Sequence, residues 1–485
     1  MLSRVTGLVR DMSMAFFFGA DASIAAFIVA LRFAILLRRI FGEGALLNGF
    51  VPHFESHRKA DPKQAAEFFR DTFFSLGLVL VGLIGCAEVV LSWFLPNEIV
   101  YLVMLILPGV PFICLFGIGS GLLHCEKHFF LSGVAPIAYN LIWIAAVWIV
   151  RKEVPQMAAI YLSLAISVAF FFQWFMTVPK TVSFLRQFLT LKELFRVRLF
   201  SSSMRTMFAS LSLGVLGVAA AQINTAIDTV FSRFAAPEGP AYLNYAIHLQ
   251  QLPLALFGIG VSSALLPSLS RSFDVKLLYI AITRTMLIIV PAAMACFALG
   301  AASINLIYGR GDFSQTASIQ TTYCLWGYGL GLVPMVLTLL LAPAFYAQKN
   351  FLTPTLISLL SIGINLLLNT ILILILHLGP SSLAYSTSAS ALLNAFLLYR
   401  SLPPLSLFKS LFTTTLCTLF ATICTLWVGT VINDPTLPLL FGQPVFSRNF
   451  SMQLSQFLIL FATFSFTYLF SALLLKRKEL YTPVS

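Results

Sequence analysis

The sequence predicts an all-α polytopic membrane protein of about fourteen transmembrane helices. Two six-helix lobes related by a parallel repeat are expected, followed by two extra C-terminal helices. Three observations predict this. Of 485 residues, 59% are hydrophobic and only 10% charged, against about 25% charged in a soluble domain. The apolar residues fall in runs of about 20, long enough to cross a bilayer as helices, rather than in the short alternating segments of a β-barrel. Lysine and arginine concentrate in every second connection, as the positive-inside bias of membrane helices requires.

The expected spans are 2–19, 23–50, 68–94, 98–123, 129–150, 156–178, 205–233, 241–266, 277–307, 317–346, 352–377, 381–399, 407–432 and 452–475. The first is short and polar. Turn signals separate several of the others: Pro96-Asn97, Pro237-Glu238-Gly239-Pro240, Gly309-Arg310-Gly311-Asp312 and Gly379-Pro380. With the N-terminus cytoplasmic, nineteen lysines and arginines lie in the connections expected inside and in the tail, whereas only Arg151, Lys152, Arg310 and Arg448 lie in those expected outside. The bias supports an even number of spans with both termini cytoplasmic. It also accounts for most of the net charge of +12, so no nucleic-acid partner is needed. No cleaved signal is expected at the N-terminus, because Arg4 and Arg10 interrupt any apolar core. The seven cysteines are odd in number and form no CxxC pair; buried, reduced packing is expected of them.

The longest basic connection, 180–204, is expected on the inner surface as an amphipathic linker, and it divides the chain. Phe41-Gly42-Glu43-Gly44 is followed by Pro52, and Phe257-Gly258-Ile259-Gly260 is followed by Pro267. Both motifs close a span and lead into a basic connection, with an even number of spans between them. That gives both the same orientation, hence a parallel repeat about an axis along the membrane normal. The expected domains are an N-terminal lobe 1–179, the linker 180–204, a second lobe 205–400, and two extra helices with a cytoplasmic tail, 401–485.

Arg4, Arg10, Arg32, Arg38 and Arg39 sit within the first two spans. A guanidinium cannot lose its proton to escape hydrocarbon, and each at the bilayer centre costs about 3 kcal/mol on an insertion scale. Such a cluster is tolerable where it faces water, a partner charge or an anionic ligand. Arg4 and Asp11, seven apart, share one helix face, as do Arg32 and Arg39, with Glu43 four beyond. One reading is a cationic cavity wall, because the planar fork of arginine pairs bidentately with phosphate oxygens. The other is internal pairing, Arg10 with Asp11 and Arg39 with Glu43, with Arg38 reaching to the interface.

Gln222, Asn224 and Asp228 on the seventh span are either cavity wall or interhelical hydrogen-bond partners. At the offset of the repeat His248 falls opposite Arg32, which marks it as a candidate ligand contact; packing is the competing reading. Glu88 is either a neutral buried acid or an outer-interface group. There is no GxxxxGK[ST] loop, no HExxH and no nucleophile–base pair. Neither an enzyme nor an ATPase is expected, and no metal or cofactor; the driving force is expected from the membrane potential, an ion gradient or the substrate itself.

Ser3-Arg4-Val5-Thr6-Gly7-Leu8-Val9-Arg10-Asp11, Leu36-Leu37-Arg38-Arg39-Ile40-Phe41-Gly42-Glu43-Gly44-Ala45 and Phe50-Val51-Pro52 resemble the MurJ (MviN) lipid II flippases. The similarity continues through Ala135-Pro136 with Asn140, Gln222-Ile223-Asn224 with Asp228, Leu265-Leu266-Pro267-Ser268-Leu269-Ser270, Ala342-Pro343 and Thr353-Pro354. The resemblance implies a member of the multidrug/oligosaccharidyl-lipid/polysaccharide exporter superfamily. Such a protein moves the undecaprenyl-pyrophosphate-linked peptidoglycan precursor from the inner to the outer leaflet by alternating access. It implies that Arg4, Arg10, Arg32, Arg38, Arg39 and His248 meet the substrate, that Asp11, Glu43, Gln222, Asn224 and Asp228 support them, and that the last two helices hold the polyprenyl tail. The implied partners are lipid II and membrane lipids, with cell-wall synthesis enzymes as further candidates.

The chain departs from the family at Ala25, where many relatives have an acid, and at His248, preceded by Ile247, where the family has a cavity arginine. Relatives also begin further upstream, so Met1 is expected to be a late start. Alternatives are a flippase for another polyprenyl-diphosphate-linked glycan, a cation-coupled drug antiporter, which would want more buried carboxylates, and a non-transporting scaffold for cell-wall enzymes.

Overall fold

A computed structural model describes the backbone of residues 2–480 except 43–44, 200, 272–273, 349, 403–407 and 442–445; Glu43 therefore lies outside the described residues. The chain divides into two compact units, residues 1–230 and 231–485.

The first unit contains α1 (Leu2–Phe18), α2 (Ala22–Phe41), α3 (Ala45–Ala60), α4 (Pro62–Ser92), α5 (Glu98–Ile106), α6 (Val110–Cys125), α7 (Phe129–Val150), α8 (Pro155–Phe175), α9 (Val178–Phe188) and α10 (Leu191–Leu194). The long α11 (Ser202–Ala235) runs into the second unit. There follow α12 (Gly239–Pro253), α13 (Ile259–Arg271), α14 (Val275–Ala298), α15 (Gly300–Tyr308), α16 (Gln315–Ala347) and α17 (Leu352–Asn369). The last are α18 (Ser381–Arg400), α19 (Phe408–Val431), α20 (Thr436–Phe441) and α21 (Phe450–Leu480). All-α architecture is the expectation, and the predicted spans fall on helices, with 23–50 and 277–307 each divided between two of them. Among the described residues, ten helical runs are long and apolar enough to cross a membrane by length and composition alone. Among the others, α1 has only 17 residues, α2 carries three arginines and α18 is rich in serine; α11 includes side chains outside the described residues.

Short polar residues start these helices as their chemistry dictates. The carboxylates of Asp21, Asp61 and Asp274 accept from the backbone N–H groups of Ser23, Lys63 and Lys276, and the Ser314 hydroxyl accepts from Ala317. Each satisfies a donor that the first turn leaves without an intrahelical acceptor.

The larger departure is in the second span. Hydropathy predicts one helix over 23–50, but α2 ends at Phe41. The cause is a close backbone approach. A Cβ on Gly117 of α6 would overlap the Gly42 carbonyl, and a Cβ on Gly42 would stand 2.9 Å from the Cys114 Cα. The two glycines let α2 press its end onto α6. Beyond it, Phe50, Phe54 and Phe68 stack to join α3 to α4.

In the second unit the corresponding motif does not end the helix. Pro253 has no N–H and its ring crowds the carbonyl four residues back. The helix passes through a π-turn at Leu254–Gly258, closed by the Ile259 N–H on the Leu254 carbonyl, and continues as α13. Behind it Ile282, Ile289, Leu332, Val336 and Leu340 form a fully buried core of α14 and α16. Helices α16 and α18 meet through small residues: the Ser388 hydroxyl donates to the Gly327 carbonyl at 2.6 Å, and a Cβ on Gly327 would lie 2.7 Å from that of Ala384. Such small-residue contacts let transmembrane backbones pack closely where lipid supplies no hydrophobic drive.

The cysteine expectation needs correction. All are free; Cys114, Cys324 and Cys417 are buried as expected, but Cys86 is exposed. It lies on α4 in an apolar stretch with exposed Val81, Leu83, Val89 and Val90, a face suited to lipid rather than to helix packing.

Candidate functional site

The best-defined charged site in the first unit is built on α1 and α7. Arg10 donates from Nε (2.9 Å) and from one terminal nitrogen (2.7 Å) to Asp11 Oδ1. Its other terminal nitrogen donates to Asn140 Oδ1 at 3.1 Å. The guanidinium lies 4.3 Å from the centre of the Trp143 ring, where the quadrupole of the indole face attracts a cation. Asn140 and Trp143 are three residues apart on α7, so they present to α1 as one face.

The amide group of Asn140 is fixed in turn. Its Nδ2 donates to the Ser3 carbonyl and to the Thr6 hydroxyl, both at 3.0 Å. The acceptor oxygen is thereby left toward Arg10. Trp143 packs edge-on against Phe27 of α2 and against Tyr139, which stacks on Phe170 of α8. The side chains of Arg10 and Asp11 retain only 15% and 10% exposure. Removing one partner of so buried an ion pair leaves the other uncompensated, at about 3 kcal/mol or more.

The other predicted residues are distributed as follows. Arg4 is exposed on α1. Arg32 and Arg38 are half-buried on α2 and Arg39 is exposed. Arg38 lines a cavity of about 480 Å³ shared with the facing ends of α6 and α7. On α11, Asp228 is buried while Gln222 and Asn224 are half-buried. His248 is half-buried on α12, in the second unit. Glu88 is half-buried on α4. The Arg10–Asp11 pair of the internal-pairing reading is present; Arg39–Glu43 falls outside the described residues. No group of three or more metal-ligating side chains occurs among the described residues.

Sequence reasoning missed four features. Trp143 was not singled out, though Asn140-x-x-Trp143 is a face-sharing spacing that could have signalled it. Arg284 lies exposed within α14. Asn365, Asn369 and Ser386 form a buried hydrogen-bonded set across α17 and α18, with the Ser386 hydroxyl donating to Asn369 Oδ1 at 2.6 Å. Lastly, the basic linker is clasped to α4: Arg70 and Asp71 pair at 2.7 Å, Arg70 donates to the Glu193 carbonyl, and Asp71 accepts from the Arg198 N–H. Glu193 closes a capping box with Thr190 and meets Lys63 at 2.5 Å. The Lys63 hydrogen bond and the Thr190 donors hold the Glu193 carboxyl down at about 2.

Comparison with known proteins accords with this architecture. The probable lipid II flippase MurJ of Chlamydia trachomatis is 33% identical over 404 residues, covering 80% of this chain and 73% of that protein. The lipid II flippase MurJ of Burkholderia cenocepacia is 29% identical over 434 residues, covering 83% and 81%. A solved structure of a lipid II flippase MurJ in an inward closed conformation superposes with a TM-score of 0.78 at 22% identity, over 99% of this chain and 98% of that one. The family profile described as lipid II flippase MurJ matches residues 14–433, most of the first unit and the second as far as residue 433, and the chain belongs to the MurJ family.

Proposed function

We propose that this protein moves lipid II from the inner to the outer leaflet of the bacterial cytoplasmic membrane by alternating access, with both termini cytoplasmic. The observation that carries the reading is the Arg10 site. A guanidinium in a largely apolar helix is positioned from three sides, by Asp11, Asn140 and Trp143. A preorganised fork of this kind gives up little freedom when it meets a phosphate.

In this reading Arg4, Arg10 and Arg32 hold the pyrophosphate, and Arg38 and Arg39 extend the positive wall along α2. His248 is the proposed contact from the second unit. Asp11 keeps Arg10 oriented and limits the local excess of charge; Glu43, Gln222, Asn224 and Asp228 are the proposed supporting polar groups. The lobes proposed from the repeat, 1–179 and 205–400, would rock about the substrate, and the last two helices would take the polyprenyl tail. The membrane potential or an ion gradient is the proposed driving force, and the protein acts as a transporter without chemical conversion of its substrate.

Lipid II accessibility at the outer surface, in cells or in proteoliposomes, tests this directly. Arg10→Ala should reduce flipping at least about tenfold, a loss on the scale of one charged hydrogen-bonded contact. Arg10→Lys keeps the charge but not the planar fork and should recover only part of it. Undiminished flipping by Arg10→Ala at normal protein level would remove Arg10 from the site. Failure of the wild-type chain to complement a flippase-deficient bacterium would sink the function itself.

A further inference from the structure

The cavity beside Arg38 is larger and differently lined than an anion site requires. Its volume is about 480 Å³, within the range of small-molecule pockets. Among the described residues, Arg38 is the only lysine or arginine in its lining. The remaining polar groups are uncharged hydroxyls and an imidazole: Ser120 and His124 from α6, and Ser132 from α7. Phe116 and Phe129 supply aromatic faces.

The hydrogen bonds fix how these groups present themselves. The Ser132 hydroxyl donates to the Phe129 carbonyl at 3.0 Å. It has one proton, so the 2.9 Å contact with His124 Nε2 is a donation from the ring. In the neutral imidazole Nδ1 is then the acceptor. His124 also lies against Phe129, with ring centroids 5.4 Å apart. One wall of the pocket thus presents a hydroxyl, an imidazole and an aromatic face in mutual contact.

A bare diphosphate would want more cationic charge than one guanidinium. A neutral ring bearing several hydroxyls suits the set better: its O–H groups meet the two serines and the imidazole, and its C–H face meets a phenyl ring. We propose that this pocket is a sugar subsite, holding the hydroxylated ring joined to the phosphate that Arg38 contacts. The inference rests on the flippase reading and adds to it a place for the carbohydrate next to the diphosphate.

Gly133 offers a clean way to close the pocket. It lines the cavity, and a Cβ built on it meets nothing within 4 Å. Gly133→Ala should fit and favour α7 as a helix, whereas Gly133→Leu should occupy the space of the ring. The experiment measures binding to the full-length protein in nanodiscs with three probes: a short polyprenyl diphosphate, the same lipid carrying one N-acetylated amino sugar, and phosphatidylglycerol. The wild type and Gly133→Ala should bind the sugar-bearing lipid about tenfold more tightly than the plain diphosphate. Gly133→Leu should abolish that preference and leave the plain diphosphate affinity unchanged. Ser132→Ala should lower the preference about fivefold, the scale of one hydrogen bond.

The subsite is overturned if the wild type shows no preference, if Gly133→Leu weakens both diphosphates equally, or if phosphatidylglycerol competes as well as the sugar-bearing lipid, which would make it a phospholipid headgroup site. Lipid II flipping by the wild type separates the two levels. Flipping without sugar preference removes the subsite alone; absence of both binding and flipping removes the subsite and the flippase reading together.

Discussion

The two Phe-Gly-x-Gly motifs meet different surroundings and take different forms. In the first unit α2 stops at Phe41, pinned through Gly42 to the backbone of α6. In the second unit the helix bends through a π-turn and goes on as α13. Among the described residues, Gly258 there meets side-chain ends, Val336 Cγ2 at 3.1 Å and Leu339 Cδ1 at 3.4 Å, and Gly260 meets nothing within 4 Å. The lesson is that a local motif supplies permission and its neighbours decide the outcome. Backbone against backbone cannot give way, whereas a methyl group can shift by a few tenths of an ångström. The first motif is therefore a fixed joint between α2 and α6, and the second a wide helical turn that absorbs a proline.

The strongest test of this contrast is Gly117→Ala. Its new methyl would overlap the Gly42 carbonyl, with no side chain available to move. The expected cost is at the upper end for overpacking, about 3 kcal/mol, read as a large drop in melting temperature or in folded yield. A native melting temperature would show that α2 can leave α6 freely, and the proposed joint would be lost.

That joint also marks the limit of what could be read from the chain. The apolar run continues through Ala45-Leu46-Leu47, so hydropathy predicts a span to residue 50; the break is imposed by Gly117, distant in sequence. Helix positions are legible because apolar runs and Pro/Gly turn signals are local. The arginines and Asp11 were legible because charge inside an apolar run is conspicuous. Trp143 as the platform for Arg10 was not, because the register between α1 and α7 is set by tertiary packing. The buried Arg70–Asp71 clasp escaped for a related reason: two adjacent opposite charges beside a basic linker look like an ordinary solvated surface until the Arg198 N–H is found on Asp71.

Smaller effects are expected where the second motif replaces the first. Gly258→Ala must displace Val336, a β-branched side chain in a filled core, by a small amount. A loss of about 1 kcal/mol is expected. Gly260→Ala enters open space and should be neutral or stabilising by about 0.5 kcal/mol, through reduced freedom of the unfolded chain. Melting of the purified variants checks both. If Gly258→Ala proved as damaging as Gly117→Ala, the two motifs would be equally rigid and the comparison would collapse.

The units differ also in how they hold a carboxyl outside the spans, and this gives the mildest test. In the first unit Glu193 is kept ionised by Lys63 and the Thr190 donors, with its carboxyl at about 2. In the second unit Asp434 is only 3% exposed. Its Oδ2 accepts from the Thr436 N–H at 3.0 Å, while Oδ1 has no hydrogen-bond partner among the described residues. Burial pushes the Asp434 carboxyl above its ordinary range, opposed by the Thr436 hydrogen bonds. The signs follow from proton linkage. A lowered carboxyl such as Glu193 contributes stability above its unfolded value near 4.5, lost as pH falls through about 2. A raised carboxyl such as Asp434 binds more protons folded than unfolded, so stability falls as pH rises from 3.8 through the elevated folded value. Asp434→Asn retains an acceptor for Thr436 and carries no charge. It should flatten the acid-range decline in melting temperature and match or exceed the wild type at neutral pH. Glu193→Gln should do the reverse, weakening the linker clasp at neutral pH and leaving behaviour near pH 2 unchanged. An unaltered pH profile in Asp434→Asn would mean that the Asp434 carboxylate reaches water, and the difference between the two carboxyls would be one of hydrogen bonding rather than burial.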